Sequence, residues 1–593
     1  MTAETTESAA SLSDLPSTLA ALPGFAAQRF GDRPAQRFAR GGAWHDVSYI
    51  ELDGIGREIA LGLIALGVAP GDRVCVLADT RPEWLQAEVG IALAGAVTVP
   101  IYPSSSTDEC EWVIGNSGAV AVVCENAAQV AKVEQVRGSL PNLRHVVTID
   151  ADTPGVPTLA ELRTEGDRSE IERRVAAVRP DEPGLIIYTS GTTGRPKGCV
   201  LSHRALTACV RVTVELDFTS DEDVVYLFLP LAHVYAQVIV LSAAGVGAAV
   251  AYCSGGPKAI MGDLAAVSPT VLPSVPRIFE KVYAGVSSLI PDELRERAVA
   301  TGLAVRELQK AGQPVPAELQ AGFDRADELL FSKVRAAFGG RIRNAISGAA
   351  PIGVDILRFF HAAGVPVNEG YGMSETAAIG TVNTPDHVRI GTVGRTVPEA
   401  EVRIADDGEI LMRGPQLFSG YWNNPEATAE TIVDGWLHSG DLGSIDDDGY
   451  LSITGRKKDI IITAGGKNLT PTNVENDLRS SRWISQAVMH GDRRPFPVAL
   501  ITLDIEEIGP WATQQGLPAD LPTLSEHPSV RTLVQGILDE VNERYAKVAQ
   551  IKKFHILDHD LTVEGGQLTP TLKVKRRVVD ERYAEVLDQL YAR

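Results

Sequence analysis

Short apolar runs alternate with longer stretches of helical spacing through the first two thirds of the chain. The runs at 74–77, 97–99 and 120–123 consist mainly of Val, Cys, Ala and Leu, the texture of strands buried on both faces. The segments between them are long enough for helical crossovers. The pattern from about 45 to 180 therefore predicts an α/β layer with a mostly parallel sheet. A second such unit is expected from about 181 to 365. Within it, residues 285–340 are rich in charge, with apolar positions at Leu303, Val305, Leu308, Leu329, Leu330 and Val334. This spacing predicts a helical excursion on the surface. The longest apolar run, 238–253, is interrupted by Ser242, Gly245 and Gly247. It is too short for a membrane span and predicts a core helix running into a strand.

The texture changes from about 366 to 455, where strands shorten and turns tighten. Asp406, Asp407 and Gly408 separate the apolar pairs at 402–404 and 410–412, a hairpin signal. Asp446, Asp447, Asp448 and Gly449 mark another turn. Three successive aspartates also invite a cation, but Asp-Gly is what a tight turn requires. Residues 459–593 read as a separate α+β unit, and residues 1–15, small, polar and acidic, as a disordered N-terminus.

With 593 residues the chain has room for several compact units and a large core. A net charge of −21 lacks the basic footprint of a nucleic-acid binder. It also argues against strong attraction to anionic lipid, leaving weak peripheral membrane contact through local basic patches. From residue 459 onward 16 basic residues face 19 acidic ones, so most of the negative charge lies in the larger N-terminal part. The six cysteines, Cys75, Cys110, Cys124, Cys199, Cys209 and Cys253, form no close pair. A disulfide framework or zinc site is thus not expected, and a reducing cytoplasm is. The first basic residue is Arg29, so the positive start of a signal peptide is missing.

The strongest chemical signal is YTSGTTGRPKG at 188–198. Hydroxyls of Thr189, Ser190, Thr192 and Thr193, the backbone of Gly191 and Gly194, and the Lys197 cation together suit a polyphosphate. It is not a Walker loop, because Pro196 precedes the lysine and Gly198 follows it. Proline disfavours helix at Arg195 and removes a donor, so a flexible loop after a buried strand is predicted rather than a helix cap.

This loop resembles the phosphate loop of the adenylate-forming enzymes: acyl-CoA synthetases, luciferases and adenylation domains of peptide synthetases. Further motifs match that superfamily in order: LPLAH at 229–233, NEGYGMSE at 368–375, WLHSGD at 436–441, GRKKD at 455–459 and TPTLKVKR at 569–576. The resemblance implies a large N-terminal domain, 16–457, of two α/β layered subdomains plus a small β-barrel at 366–455. A hinge at Lys458 and a mobile α+β C-terminal domain, 459–593, follow. It implies ATP, Mg²⁺ and coenzyme A as co-substrates and metal.

The resemblance also implies roles for individual residues. Glu375 is the Mg²⁺ ligand, with Thr189 beside it, and Thr376 bonds the α-phosphate. Tyr371, between Gly370 and Gly372, stacks on adenine; its alternative is a buried barrel aromatic. Gly348, Ala349 and Ala350 line the adenine and acyl pocket, or else allow a close helix–strand contact. Asp441 accepts the ribose hydroxyls and Arg456 donates to the same ribose. Lys458 pivots, or is a solvated loop lysine, and Gly465 and Gly466 line a pantetheine channel. Lys573 bridges the acid and the α-phosphate, with Lys575, Arg576 and Arg577 as alternatives. His233 borders the reaction centre, or is a satisfied core histidine. Where many relatives carry an aromatic gate, four positions after His233, this chain has Gln237, so the gate differs or Tyr235 replaces it.

RPEW at 81–84, GAVTVPIYPSSS at 95–106 and VPRIFEKVYAGV at 275–286 look like the long-chain fatty acyl-CoA branch. The implied reaction joins a fatty acid to AMP and then to CoA. Two rivals are a fatty acyl-AMP ligase that loads a carrier protein and a non-catalytic lipid- or nucleotide-binding relative. The run 455–471 lacks the hinge insertion usual in the first. Lys573, Glu375 and the phosphate loop, which the second would be expected to lose, are present. Oligomeric state, chain-length preference and pathway are not legible in the sequence.

Overall fold

The computed structural model describes residues 14–189, 195–287, 290–465, 467–563, 565–569 and 573–592. Among them, the buried apolar runs become the centres of two large sheets. Seven strands form the first, in the order Gly420–Tyr421, Lys197–Ser202, Pro183–Thr189, Val97–Ile101, Arg73–Leu77, Ala121–Cys124 and His145–Thr148. Nine form the second, from Arg395–Thr396 through Thr381–Val382, Val367–Tyr371, Asn344–Ser347, Val271–Ser274, Val224–Leu227, Ala249–Tyr252 and Pro34–Arg40 to Ala43–Ser48. The central pairs of both are parallel. Both edges of the second sheet and the Gly420–Tyr421 edge of the first are antiparallel, while His145–Thr148 joins the other edge of the first in parallel.

Helices lie between the sheets and join them through one core. Tyr49–Ala65 starts at a capping box of Ser48 and Glu51, and Pro82–Leu93 starts with proline in its first turn. The two helices touch at glycines. A Cβ on Gly56 would stand 2.3 Å from Val89, and one on Gly90 2.4 Å from Ile59. Any larger residue would push the helices apart and open the core.

The boundary expected near 181 is not a sheet boundary. Strand Pro183–Thr189 pairs in parallel with Val97–Ile101, while the hairpin Pro34–Arg40 and Ala43–Ser48 crosses to the edge of the second sheet. Sheet membership here depends on which edge offers open backbone groups, a property of the assembled fold. Likewise, Val367–Tyr371 pairs in parallel with Asn344–Ser347 and so extends the large sheet beyond residue 365. The expected hairpin is present: Glu401–Ile404 pairs antiparallel with Glu409–Arg413, and Gly408 in the turn has φ +86°. These strands, with Ile432–Val433, Trp436–Ile445 and Leu451–Arg456, make a five-stranded sheet. The helix Val234–Val246 leads into strand Ala249–Tyr252, as the run 238–253 predicts. No helix among the described residues is long and apolar enough to cross a membrane.

The C-terminal unit has its own core around strands Ile484–His490, Val498–Leu503 and Lys553–Ile556. Arg277 pairs with Asp504, and Lys281 with Glu506 at 2.7 Å, bridging it to helix Pro276–Ser287 of the larger part.

The helical excursion is not a surface appendage. Asp292–Lys310 packs on Val354–Ala363, where Gly302 sits against Ala362. Val305, Phe331 and Val334 are fully buried, whereas Leu329 is 60% exposed. Leu303, Val305, Leu330 and Val334, apolar positions visible in the sequence, pack into the core rather than along a surface helix pair. Phe331→Ala is therefore expected to destabilise the N-terminal part by about 3–5 kcal/mol. Urea unfolding followed by tryptophan fluorescence checks this, and a loss under about 1 kcal/mol would return the excursion to the surface.

Candidate active site

Thr189 ends one strand and Lys197 begins the next, and the two are cross-strand partners. The phosphate-type loop thus closes an antiparallel hairpin and caps no helix, as Pro196 requires. Ser190, Gly191, Thr192, Thr193 and Gly194 lie outside the described residues. The C-terminal side of the loop is tethered. Trp112 Nε1 donates to Pro196 O at 2.8 Å, and the Arg195 guanidinium covers the Trp112 ring at 4.7 Å. Trp422 N–H donates to Gly198 O at 2.7 Å.

Three other site segments follow the carboxyl ends of parallel strands, where α/β sheets open crevices. Gly348, Ala349 and Ala350 follow Asn344–Ser347, with Ala349 in the left-handed region at φ +67°. The Tyr235 ring packs beside Gly348 and its hydroxyl donates to Ile346 O at 2.9 Å. Gln237 is fully buried and donates to Leu231 O at 2.6 Å. Of the two, Tyr235 is the one beside the pocket segment. His233 caps the helix Val234–Val246, its Nδ1 accepting from Tyr235 N–H at 3.1 Å. The neutral ring therefore carries its proton on Nε2. Burial, and then the charge of Lys573, hold this imidazole down at about 4.

Gly370 and Tyr371 end strand Val367–Tyr371. Gly372 is obligatory there, since a Cβ would stand 2.1 Å from Ala378 O. Tyr371 is buried, as its alternative reading had it, but in the large sheet. Its hydroxyl donates to Asp441 Oδ2 at 2.7 Å, and Arg456 Nε donates to Oδ1 at 2.6 Å. Asp441 and Arg456, fifteen positions apart in sequence, are register partners on adjacent strands. The Asp441 carboxylate is thus held on both oxygens. Glu375 is half-buried and accepts from Tyr421 OH at 2.6 Å. Thr376 is fully buried. Its hydroxyl and its N–H both serve Met373, at 3.0–3.2 Å. Thr376 thus closes the turn that presents Glu375.

Lys458 lies exposed in the short helical turn Lys457–Asp459, while its neighbour Lys457 pairs with Asp407 at 2.6 Å and Glu409 at 2.8 Å. Gly465 is exposed, and Gly466 lies outside the described residues. Near the C-terminus, Thr569 N–H donates to Lys573 O at 2.8 Å and Lys573 N–H to Thr569 Oγ1 at 3.0 Å. This bend places the Lys573 side chain within electrostatic reach of Arg456, Asp441, Glu375 and His233. The residue is exposed, yet protein atoms crowd its ammonium. Crowding, aided by Arg456, pushes its ammonium down to about 8, against the pull of Asp441 and Glu375. Of the alternatives, Arg576 is committed to Glu475 at 2.7 Å and Arg577 to Glu581 at 3.3 Å.

Residues 25–422 match the AMP-binding enzyme family, and residues 458–593 match the AMP-binding enzyme C-terminal domain. The chain belongs to the AMP-binding enzyme family. It is 41% identical to the long-chain-fatty-acid–CoA ligase FadD15 of Mycobacterium bovis over 93% of each chain. It is 34% identical to the long-chain-fatty-acid–CoA ligase ACSBG2 of Xenopus laevis, over 95% of this chain and 82% of that one. The A domain of carboxylic acid reductase from Segniliparus rugosus, solved with AMP and a carboxylic acid, shares the fold. Its TM-score is 0.74 at 20% identity, covering 97% of this chain and 94% of that one.

Sequence reasoning missed the residues that hold this family site in shape. Glu409 collects Lys457, His438 at 2.9 Å and Gly440 N–H at 2.8 Å. It thereby fixes the turn before Asp441. Trp112 and Tyr421 were also passed over. The GYW at 420–422, which reads as an ordinary aromatic strand, was the available signal. The proton equilibrium of Lys573 is directly testable by reductive ¹³C-methylation and NMR. Its resonance should titrate near 8, and lower still in Glu375→Gln, where a stabilising anion is lost. A titration at the usual lysine value of about 10.4 would show that the protein does not crowd it.

Proposed function

We propose that this chain is an AMP-forming long-chain fatty acid–CoA ligase. The observation that carries the reading is the convergence of Lys573 with Glu375, Asp441 and Arg456. In the first half-reaction a fatty acid carboxylate oxygen attacks the α-phosphorus of ATP. The bond to the bridging oxygen of the β-phosphate breaks and pyrophosphate leaves. Lys573 neutralises charge between acid and α-phosphate, and Lys197 does so at the outer phosphates. Asp441 accepts the ribose hydroxyls as Tyr371 and Arg456 hold its orientation. Tyr371, pinned by its hydroxyl, offers adenine a wall beside Gly370 and Gly372.

Glu375 suits Mg²⁺. It is a hard oxygen donor whose Oε2 accepts from no described residue. No group of three or more metal-binding side chains occurs among the described residues. One carboxylate completed by substrate phosphates is the usual Mg²⁺ arrangement, with Thr189 at the loop's edge as a second oxygen. The ion, when bound, would offset phosphate charge. In the second half-reaction the CoA sulfur attacks the acyl carbonyl, its proton is lost, and AMP departs. Rotation at Lys458 would exchange the segment carrying Lys573 for the Gly465–Gly466 face. A cytoplasmic location and weak peripheral membrane contact fit this use of dissolved ATP and CoA with an apolar acid.

Lys573→Ala should reduce palmitate-dependent ATP–pyrophosphate exchange by at least a hundredfold, consistent with losing a charge-stabilising group. The same variant should largely retain conversion of supplied palmitoyl-AMP and CoA to thioester. Equal loss in both assays would remove Lys573 from the first step.

Substrate length supplies the test of the whole reading. A buried methylene is worth about 0.8 kcal/mol, roughly fourfold in specificity. The kcat/KM for thioester formation should climb steeply from acetate through octanoate to palmitate and then flatten. Preference for acetate or benzoate, or exchange without CoA thioester, would overturn it.

A further inference from the structure

Segment 418–423 has no role in the reaction described above, yet it is bonded to both sides of the phosphate site. Strand Gly420–Tyr421 pairs antiparallel with Lys197–Ser202, setting Tyr421 opposite Cys199. Ser419 N–H donates to Val200 O at 2.9 Å, and Phe418 N–H donates to the backbone carbonyl of Glu375 at 2.9 Å. Tyr421 N–H donates to Thr428 Oγ1 at 2.8 Å. The Phe418 ring meets the Tyr421 ring edge-on, with centroids 4.9 Å apart. The backbone and ring of Tyr421 are therefore fixed before any substrate arrives.

Two contacts of the fixed side chain point at the chemistry. The hydroxyl donates to Glu375 Oε1 at 2.6 Å, and the Lys197 ammonium lies over the ring at 5.0 Å from its centre. A phenol donating to a carboxylate is a charge-assisted bond. It leaves Oε2 to a cation and removes rotamer freedom that Glu375 would otherwise lose on binding one. The ring face attracts an ammonium without neutralising it. Tyr421 answers the carboxylate with its hydroxyl and the cation with its ring, so neither charge needs to quench the other.

We propose that Tyr421 is a positioning residue for adenylation, orienting the Glu375 carboxylate for the metal–nucleotide and seating Lys197 for the outer phosphates. This rests on the adenylation reading above. Tyr421→Phe separates the two functions, because it removes the hydroxyl and keeps the ring. Mn²⁺ binding, measured by electron paramagnetic resonance in the presence of a β,γ-methylene ATP analogue, should weaken about tenfold. The Mg²⁺ concentration for half-maximal palmitate-dependent pyrophosphate exchange should rise by the same factor. Palmitate KM and the melting temperature should hold. Glu375→Gln combined with Tyr421→Phe should lose no more Mn²⁺ affinity than Glu375→Gln alone. Tyr421→Leu should in addition weaken metal-free ATP about two- to fivefold, which Tyr421→Phe should not. Wild-type Mn²⁺ affinity in Tyr421→Phe, or a further tenfold loss in the double variant, would overturn the assignment to Glu375. Unchanged metal-free ATP affinity in Tyr421→Leu would overturn the assignment to Lys197. Should the wild type show no palmitate-dependent exchange, the fatty-acid reading fails while the Mn²⁺ measurement still decides the role of Tyr421.

Discussion

Asp441 is 3% exposed, and its carboxylate takes one hydrogen bond from Tyr371 and one from Arg456. A buried carboxylate left without such partners is strongly destabilising. The pairing therefore obliges three parts of the chain to meet. Tyr371 comes from the end of a parallel strand of the nine-stranded sheet, and Asp441 from the smaller antiparallel sheet. Arg456 is the last residue of its strand and directly precedes the turn that holds Lys458. Tyr371 at one end and the Lys457–Asp459 turn at the other are located by the same charge, and the Lys573 ammonium arrives within reach of it.

Around that point the fold uses a general property of parallel sheets. Strands Asn344–Ser347 and Val367–Tyr371 run in one direction, so the segments that follow them emerge on one side. The first sheet brings the hairpin strands that meet at Thr189 and Lys197. What these segments share is tight backbone: Ala349 in the left-handed region and Gly372 against Ala378. Such strain is held only where surrounding packing over-determines it. The core joining both sheets through paired helices provides that packing.

The candidate site residues stood out because their types and order are unusual. Glu375, Asp441, Arg456 and Lys573 could be named from their motifs, and Pro196 argued against a helix cap, but the antiparallel pairing of the strands around the loop came only with the structure. Their partners were not legible. Glu409 and Tyr421 look in sequence like an ordinary strand acid and an ordinary aromatic. The bonds of the Thr376 hydroxyl to the Met373 backbone were equally invisible in sequence. The burial of Phe331 within 285–340 was likewise decided only by packing.

The sequence by itself determined the α/β class, the buried strands, the hairpin at 401–413 and the candidate residues for phosphates and a diol. Those features depend on local spacing and on side-chain chemistry. Only the tertiary structure decided that Pro183–Thr189 joins the first sheet and Pro34–Arg40 the second, that Asp441 lies opposite Arg456, and that Tyr421 stands between Glu375 and Lys197. Strand pairing and charge pairing join residues far apart in the chain, and which partner wins depends on the edges and cavities that exist once the core has closed.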